Sequence, residues 1–362
     1  MAFKKIIDSI PEFYHPFLPD VFQMTIPPEP FSSCPRCPMI AESRDEISFD
    51  NGKPFAPDTK CCTFTPRLPN YMAGAILSDN DPAIREGKKR ISDRIRTDKG
   101  IFPNGVYPTG EYNKLYQAIS STGFGRSIEL LCPYFVHGRF NCSIWKFREA
   151  TCALWFCKHI GGKKGAEFWQ SVMDYLKFLQ ESLMNIAAFK CGLHPVDPYG
   201  EGSYPGFRES SERRDNGRNI ADIWKKWKGH KADYYIRCYE IICNLDAGEI
   251  QNISNHGYEL AKRIENLASG MVTIPEFLSV NRDLIRDDQT GHYVVEITSF
   301  FEILQKSIVW SFRLPKFILD PFNGITKTSD IVKLILESHS VRIEPEILIA
   351  LYRQGILKDS GI

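Results

Sequence analysis

The sequence predicts a mainly α-helical chain with an irregular, cysteine-rich N-terminal region. Three observations carry that expectation. Phe168, Val172, Leu176, Leu179, Leu183, Ile186 and Phe189 recur every three or four residues within 163–190, the period of one helix face. Helix start and stop signals recur near the C-terminus. Eight of the eleven cysteines fall within the first 157 residues, among prolines and glycines rather than in a periodic pattern.

Residues 1–33 carry Pro11, Pro16, Pro19, Pro27, Pro28 and Pro30 between aromatic residues, and read as an extended arm lying on a core. Residues 34–70 are loop-like. Residues 82–99 hold seven basic and three acidic side chains and are most simply a solvated helical face. Gly105, Pro108 and Gly110 make 101–113 a turn-rich crossing. The helix over 163–190 stops at Gly192. Residues 192–219 collect prolines, glycines and the polar run ESSERRDNGRN. That stretch divides the chain into a cysteine-rich domain over 1–192 and a helical domain over 193–362.

In the second part, 220–246 and 255–269 are the expected helices. Ser329 caps a further helix through about Ser338. Pro345 sits in the first turn of another that ends at Gly355. These two short helices resemble a small winged-helix or helix-turn-helix end module.

With 43% apolar and 25% charged residues, the 362-residue chain has ample material for a core. Its net charge of +1 does not point to a dedicated nucleic-acid binder. No apolar run reaches the roughly 18 residues a membrane helix needs. The N-terminus has only a three-residue apolar stretch before Pro11, against the roughly 7–15 of a secretory signal. The expectation is a cytoplasmic protein with no membrane contact, whose partner is another protein or a small molecule. In a reducing compartment, clustered cysteines more often bind metal or do redox chemistry than form disulfides.

Cys34-Pro-Arg-Cys37 is a C-x2-C knuckle, a spacing that lets both sulfurs face one centre. Cys61 and Cys62 are adjacent, and neighbours in an extended strand point to opposite faces. Both serve one centre only where the backbone turns; the expectation is that one ligates and the other is replaceable. Cys132, Cys142, Cys152 and Cys157 follow within 26 residues. These eight are the candidate metal ligands. Cys191, Cys238 and Cys243 lie in apolar helical patterns and read as buried small side chains. His137 and His159, close to Cys132 and Cys157, read as ordinary histidines. Arg148 is a candidate cofactor-binding residue: a guanidinium among thiolates offsets their charge and donates hydrogen bonds to sulfur. Its alternative is an ion pair with Glu149 or another carboxylate.

The C-x2-C step, the CC pair and the run CPYF…CSIWKFREATCALWFC resemble the YkgJ-type cysteine-cluster family, zinc- or iron-chelating proteins whose second motif is C-x-I-Y-x-x-R-P-x-x-C-R. Cys142-Ser-Ile-Trp145 matches its first step, Arg148 its arginine and Cys152 the cysteine that follows. The resemblance covers residues 34–160, under half the chain. Between Cys37 and Cys61 stand 23 residues, Glu149 replaces the proline and Ala153 the final arginine. The flagellin lysine N-methylases are more distantly similar, and no methylase assignment follows from that.

The resemblance implies a metal centre of either kind. Seven aromatics within 132–157 would form the water-limiting shell that an iron–sulfur cluster, such as a 4Fe-4S centre, benefits from; ordinary core packing accounts for them equally. The expected function is an iron–sulfur protein with a redox or protein-modifying role. The alternative is a non-enzymatic interaction module stabilised by zinc. No G-x-x-x-x-G-K-[ST], H-E-x-x-H or G-x-S-x-G motif occurs, so whether the chain is an enzyme is open at this level.

Overall fold

The computed structural model describes residues 4–26, 47–49, 55–137, 141–154, 162–194, 220–272, 274–301 and 306–360. It is mainly helical, with several small antiparallel sheets. The helices are α1 (Asn70–Ser78), α2 (Arg85–Thr97), α3 (Gly110–Gly123), α4 (Ala150–Leu154), α5 (Gly162–Lys190), α6 (Lys231–Cys243), α7 (Ala247–His256), α8 (Tyr258–Val272), α9 (Lys316–Leu319), α10 (Thr328–His339) and α11 (Pro345–Arg353).

The N-terminal arm is a series of three short 3-10 turns between β1 (Lys4–Lys5) and β2 (Thr25–Ile26), which pair with each other. Pro11, Pro16 and Pro19 keep the turns from joining into one α-helix. Ile6, Tyr14, Phe22 and Ile26 are buried, so the arm is part of the core.

Helix α1, NYMAGAILS, is apolar almost all round, and Asn70–Leu77 are all buried. A helix of that kind belongs at the centre of a core. Gly74 lets α6 approach it: a Cβ there would stand 1.8 Å from the Tyr235 carbonyl oxygen. Helix α5 buries Phe168, Val172, Leu176, Leu179 and Leu183 completely, whereas Phe189 in its last turn is 70% exposed, beyond the face its neighbours cover. Gly192 adopts φ +77°, and the Leu193 N–H returns to the Ala188 carbonyl at 3.0 Å, the closure a left-handed residue gives a helix end.

Short strands surround this core: β3 (Ile47–Phe49), β4 (Leu68–Pro69), β5 (Ile101–Phe102), β6 (Gly105–Val106), β7 (Phe135–Val136) and β8 (Asn141–Cys142). Towards the C-terminus follow β9 (Phe277–Val280), β10 (Ile285–Asp287), β11 (His292–Phe301), β12 (Lys306–Pro315), β13 (Asn323–Lys327) and β14 (Leu357–Asp359). One antiparallel sheet has the order β10-β11-β12-β3, another β13-β9-β14. Residues 193–362, read as helical, thus contain α6–α8 and then a run of strands before α10 and α11. The stretches HYVVEITSFF and KSIVWSFRLP are dense in β-branched and aromatic residues, which favours strands. The single helix expected over 220–246 is broken at Gly229, leaving a 3-10 turn before α6.

Two buried clusters result. The first takes residues from Ile6 to Met271, including α1, α5 and α6. The second gathers Leu278 to Leu357 with Phe55 and Phe124. Tyr234 and Tyr235 of α6 therefore share a core with Leu176 of α5, on the other side of the 192/193 division. Residues 195–219, which motivated that division, lie outside the described residues.

Gly74→Ala should lower unfolding free energy by about 3 kcal/mol, because neither backbone can give way without losing helix packing. Gly110→Ala, where an added Cβ meets nothing within 4 Å, should be neutral or stabilising. Urea unfolding of the two variants measures the difference.

Candidate metal centre

Five cysteines from three parts of the chain line one pocket: Cys61 and Cys62, Cys132, and Cys142 with Cys152. About 790 Å³ inside it is free of protein atoms, its open mouth included. Between the cysteines its wall is apolar, with Phe64, Phe124, Tyr134, Ile144 and Trp145 among the lining residues. Cys34, Cys37 and Cys157, with His159, lie outside the described residues.

The Cys61-Cys62 pair sits in a turn, not an extended strand. Lys60 adopts a left-handed backbone, φ +51°; its N–H donates to the Ala56 carbonyl at 2.9 Å and the Cys62 N–H to that of Thr59 at 3.1 Å. The turn is held on Gly125, whose N–H donates to Thr63 Oγ1 and whose carbonyl accepts from Thr59 Oγ1. This curvature is why both neighbours reach one pocket. The Cys62 carbonyl in turn accepts the Cys132 N–H at 2.7 Å.

Cys142 lies in β8 opposite Phe135 of β7. The Tyr134 carbonyl accepts from both the N–H and the hydroxyl of Ser143, at 2.8 and 2.9 Å, which closes this hairpin. Arg90 of α2 donates to the carbonyls of Pro133 and Phe135 at 2.7 and 2.5 Å. Arg94 donates to the Tyr107 carbonyl. Two cations of the helix read as a solvated face thus turn inward and stand behind Cys132.

Cys152 is carried by α4. Glu149, 2% exposed, accepts the N–H groups of Thr151 and Cys152 at 2.9 and 2.8 Å and so caps that helix. Its carboxylate serves the backbone and also accepts from the Cys152 thiol. Arg148 lines the pocket and stacks over the Trp145 ring, 3.5 Å from its centroid. It also donates to the carbonyls of Trp145 and Cys152 at 3.2 and 3.5 Å. The Arg148 carbonyl accepts from Tyr14, whose oxygen accepts from Gln180 of α5. The arm, the long helix and the site loop are joined through that hydroxyl.

The thiols differ in character. A hydrogen bond from Cys62 holds Cys61 below the ordinary thiol range, helped by the charges of Arg148 and Lys60, against the opposing effect of burial. Burial pushes Cys132 up, and Cys142 adds to it as a like charge. Burial raises Cys152 well above its ordinary value, with Glu149, Cys132 and Cys142 acting in the same sense.

Among the described residues no group of three or more His, Cys, Asp or Glu side chains converges closely enough to hold one metal ion. The cysteines surround a space instead. Cys191 and Cys238 stand apart from it, buried, with sulfurs 3.9 Å apart across α5 and α6. Cys243 is exposed, at the end of α6 rather than in the core as its apolar neighbours suggest. His137 is exposed and edge-on to Phe135.

No family model, curated protein or solved structure matches the chain. No described helix is long and apolar enough to cross a membrane.

Arg90, Arg94 and Tyr14 are the site residues that sequence reasoning missed, and Glu149, read as an ion-pair partner for Arg148, caps α4 instead. The prolines around Tyr14 and the density of arginine in α2 were their only local signals. Tyr14→Phe strips a hydroxyl from Gln180 and from the Arg148 carbonyl, at a cost of about 1–3 kcal/mol. A lower urea midpoint with an unchanged slope is the expected result, accompanied by altered Trp145 fluorescence.

Proposed function

We propose that this chain holds an iron–sulfur cluster in the pocket between Cys61, Cys62, Cys132, Cys142 and Cys152, in a reducing compartment such as the cytoplasm, and uses it in redox or protein-modifying chemistry. The convergence of five cysteines on one apolar pocket carries the reading. A four-iron cluster takes four thiolates, so the donor set is sufficient without residues outside the described segments. The dispersion of the sulfurs around a volume favours a cluster over a single zinc ion. At a zinc–sulfur distance of ~2.3 Å, tetrahedral geometry brings thiolates to about 3.8 Å of one another.

Electrostatics support the same reading. A cluster with four thiolates is anionic, and Lys60, Arg148, Arg90 and Arg94 all act on the thiols as positive charges. The cluster when bound would supply electron transfer or a Lewis-acidic iron. The chain's own residues hold the thiols, limit water through the aromatic wall and offset charge. The resemblance of Cys142-Ser-Ile-Trp145, Arg148 and Cys152 to the YkgJ-type motif is in keeping with this.

Protein purified without oxygen should be brown, absorb broadly near 400 nm, and contain iron and acid-labile sulfide in equal amounts. Zinc alone, or a folded metal-free chain that takes up no iron and sulfide, would refute the reading. Cys132→Ala, Cys142→Ala and Cys152→Ala should each lose iron and stability together, since an assembled centre contributes to folding free energy. Cys238→Ala and Cys243→Ala should keep the iron.

A further inference from the structure

Two hydroxyl groups on the pocket wall have no acceptor for their protons among the described residues. Tyr134 is fully buried and Thr151 is 3% exposed, and both line the pocket. The Tyr134 oxygen accepts from Arg94, but neither its O–H nor that of Thr151 has an acceptor among the described residues. Buried polar groups are nearly always paired, and each orphan carries a desolvation cost. Two unassigned hydroxyl protons on one cavity wall point to an acceptor within that cavity.

The surroundings narrow what that acceptor is. The Tyr134 hydroxyl is near Cys132 and Cys142, whose charges oppose its ionisation, and near Arg94, which favours it. Its backbone is fixed by the two bonds from Ser143, so the ring does not swing away to find water. Thr151 already spends its N–H on Glu149, which leaves the hydroxyl as its unused donor. Both line a pocket whose wall carries five cysteines and is otherwise mostly apolar.

We propose that Tyr134 and Thr151 donate hydrogen bonds to sulfur, either sulfide or cysteine thiolate, of the cluster in this pocket, and thereby raise its reduction potential. The inference rests on the cluster reading above. On one-electron reduction the added charge spreads onto the sulfurs, which makes them better acceptors. A donor facing them stabilises the reduced form more than the oxidised form, and the potential rises. No bond is made or broken and no proton leaves either hydroxyl.

The test uses the full chain and the variants Tyr134→Phe, Thr151→Val and Thr151→Ser, each reconstituted anaerobically with ferrous iron and sulfide. Iron, sulfide and midpoint potential are measured on the loaded proteins, and thermal unfolding on both loaded and metal-free forms. Iron and sulfide should match the parent chain in all three. The potential should shift to more negative values in Tyr134→Phe and Thr151→Val, and stay at the parent value in Thr151→Ser, which keeps the hydroxyl. Metal-free Thr151→Val should be at least as heat-stable as the metal-free parent, because it has lost an orphaned hydroxyl. Full cluster content with unchanged potentials in both hydroxyl-deleted variants overturns the hydrogen bonds and leaves the cluster standing. A parent chain that takes up no iron and sulfide overturns the cluster reading, and this inference falls with it. Should Tyr134→Phe fail to fold, the contrast between Thr151→Val and Thr151→Ser decides.

Discussion

The Tyr14 hydroxyl is the point on which the site depends. It is fully buried, donates to the Arg148 carbonyl and accepts from Gln180. The Gln180 carbonyl oxygen accepts the Ala150 N–H at 3.3 Å, at the start of the helix that carries Cys152. One phenol and one amide thus fix the loop that presents Trp145, Arg148 and Cys152 relative to the longest helix of the chain. Because all these groups are buried, loss of one partner strands another without water to replace it. That asymmetry makes the arrangement rigid.

Around this frame the chain solves an electrostatic problem. Five thiols are gathered in an apolar wall, where burial and neighbouring sulfurs oppose the ionisation of Cys132 and Cys152. The cations sit behind the thiols rather than among them: Arg90 and Arg94 are spent on backbone carbonyls, and Arg148 on carbonyls and an indole face. Such cations are held in place by the fold whatever occupies the pocket. They contribute a fixed positive field, which favours an anionic guest.

Much of the helical framework was legible because it is written locally. The stripe from Phe168 to Leu183 with Gly192 after it, and the signals at Pro345 and Gly355, act within a few residues of where they are read. The site was legible as a composition, eight cysteines close in sequence, but not as a shape. The turn at Lys60 carries no glycine to announce its left-handed backbone, and so the adjacent cysteines read as diverging. The inward arginines of α2 look like surface residues, since a helix with six cations does not say which face its neighbours will cover. The strands after residue 276 were hidden by the helices on either side of them, although their β-branched runs were visible. Cys191 and Cys238 illustrate the same limit: each reads as an isolated small core residue, and only packing of α5 against α6 brings their sulfurs together.

The pocket also lies on a seam. Cys62, Cys132 and Cys142 belong with the first buried cluster, whereas Phe124, Cys61 and Phe64 belong with the second, which is built from Leu278 to Leu357. Leu357, in β14, is buried in that second cluster. Chain synthesis runs from the N-terminus, so all five thiols leave the ribosome before Leu278 to Leu357, the residues whose cluster Phe124, Cys61 and Phe64 join.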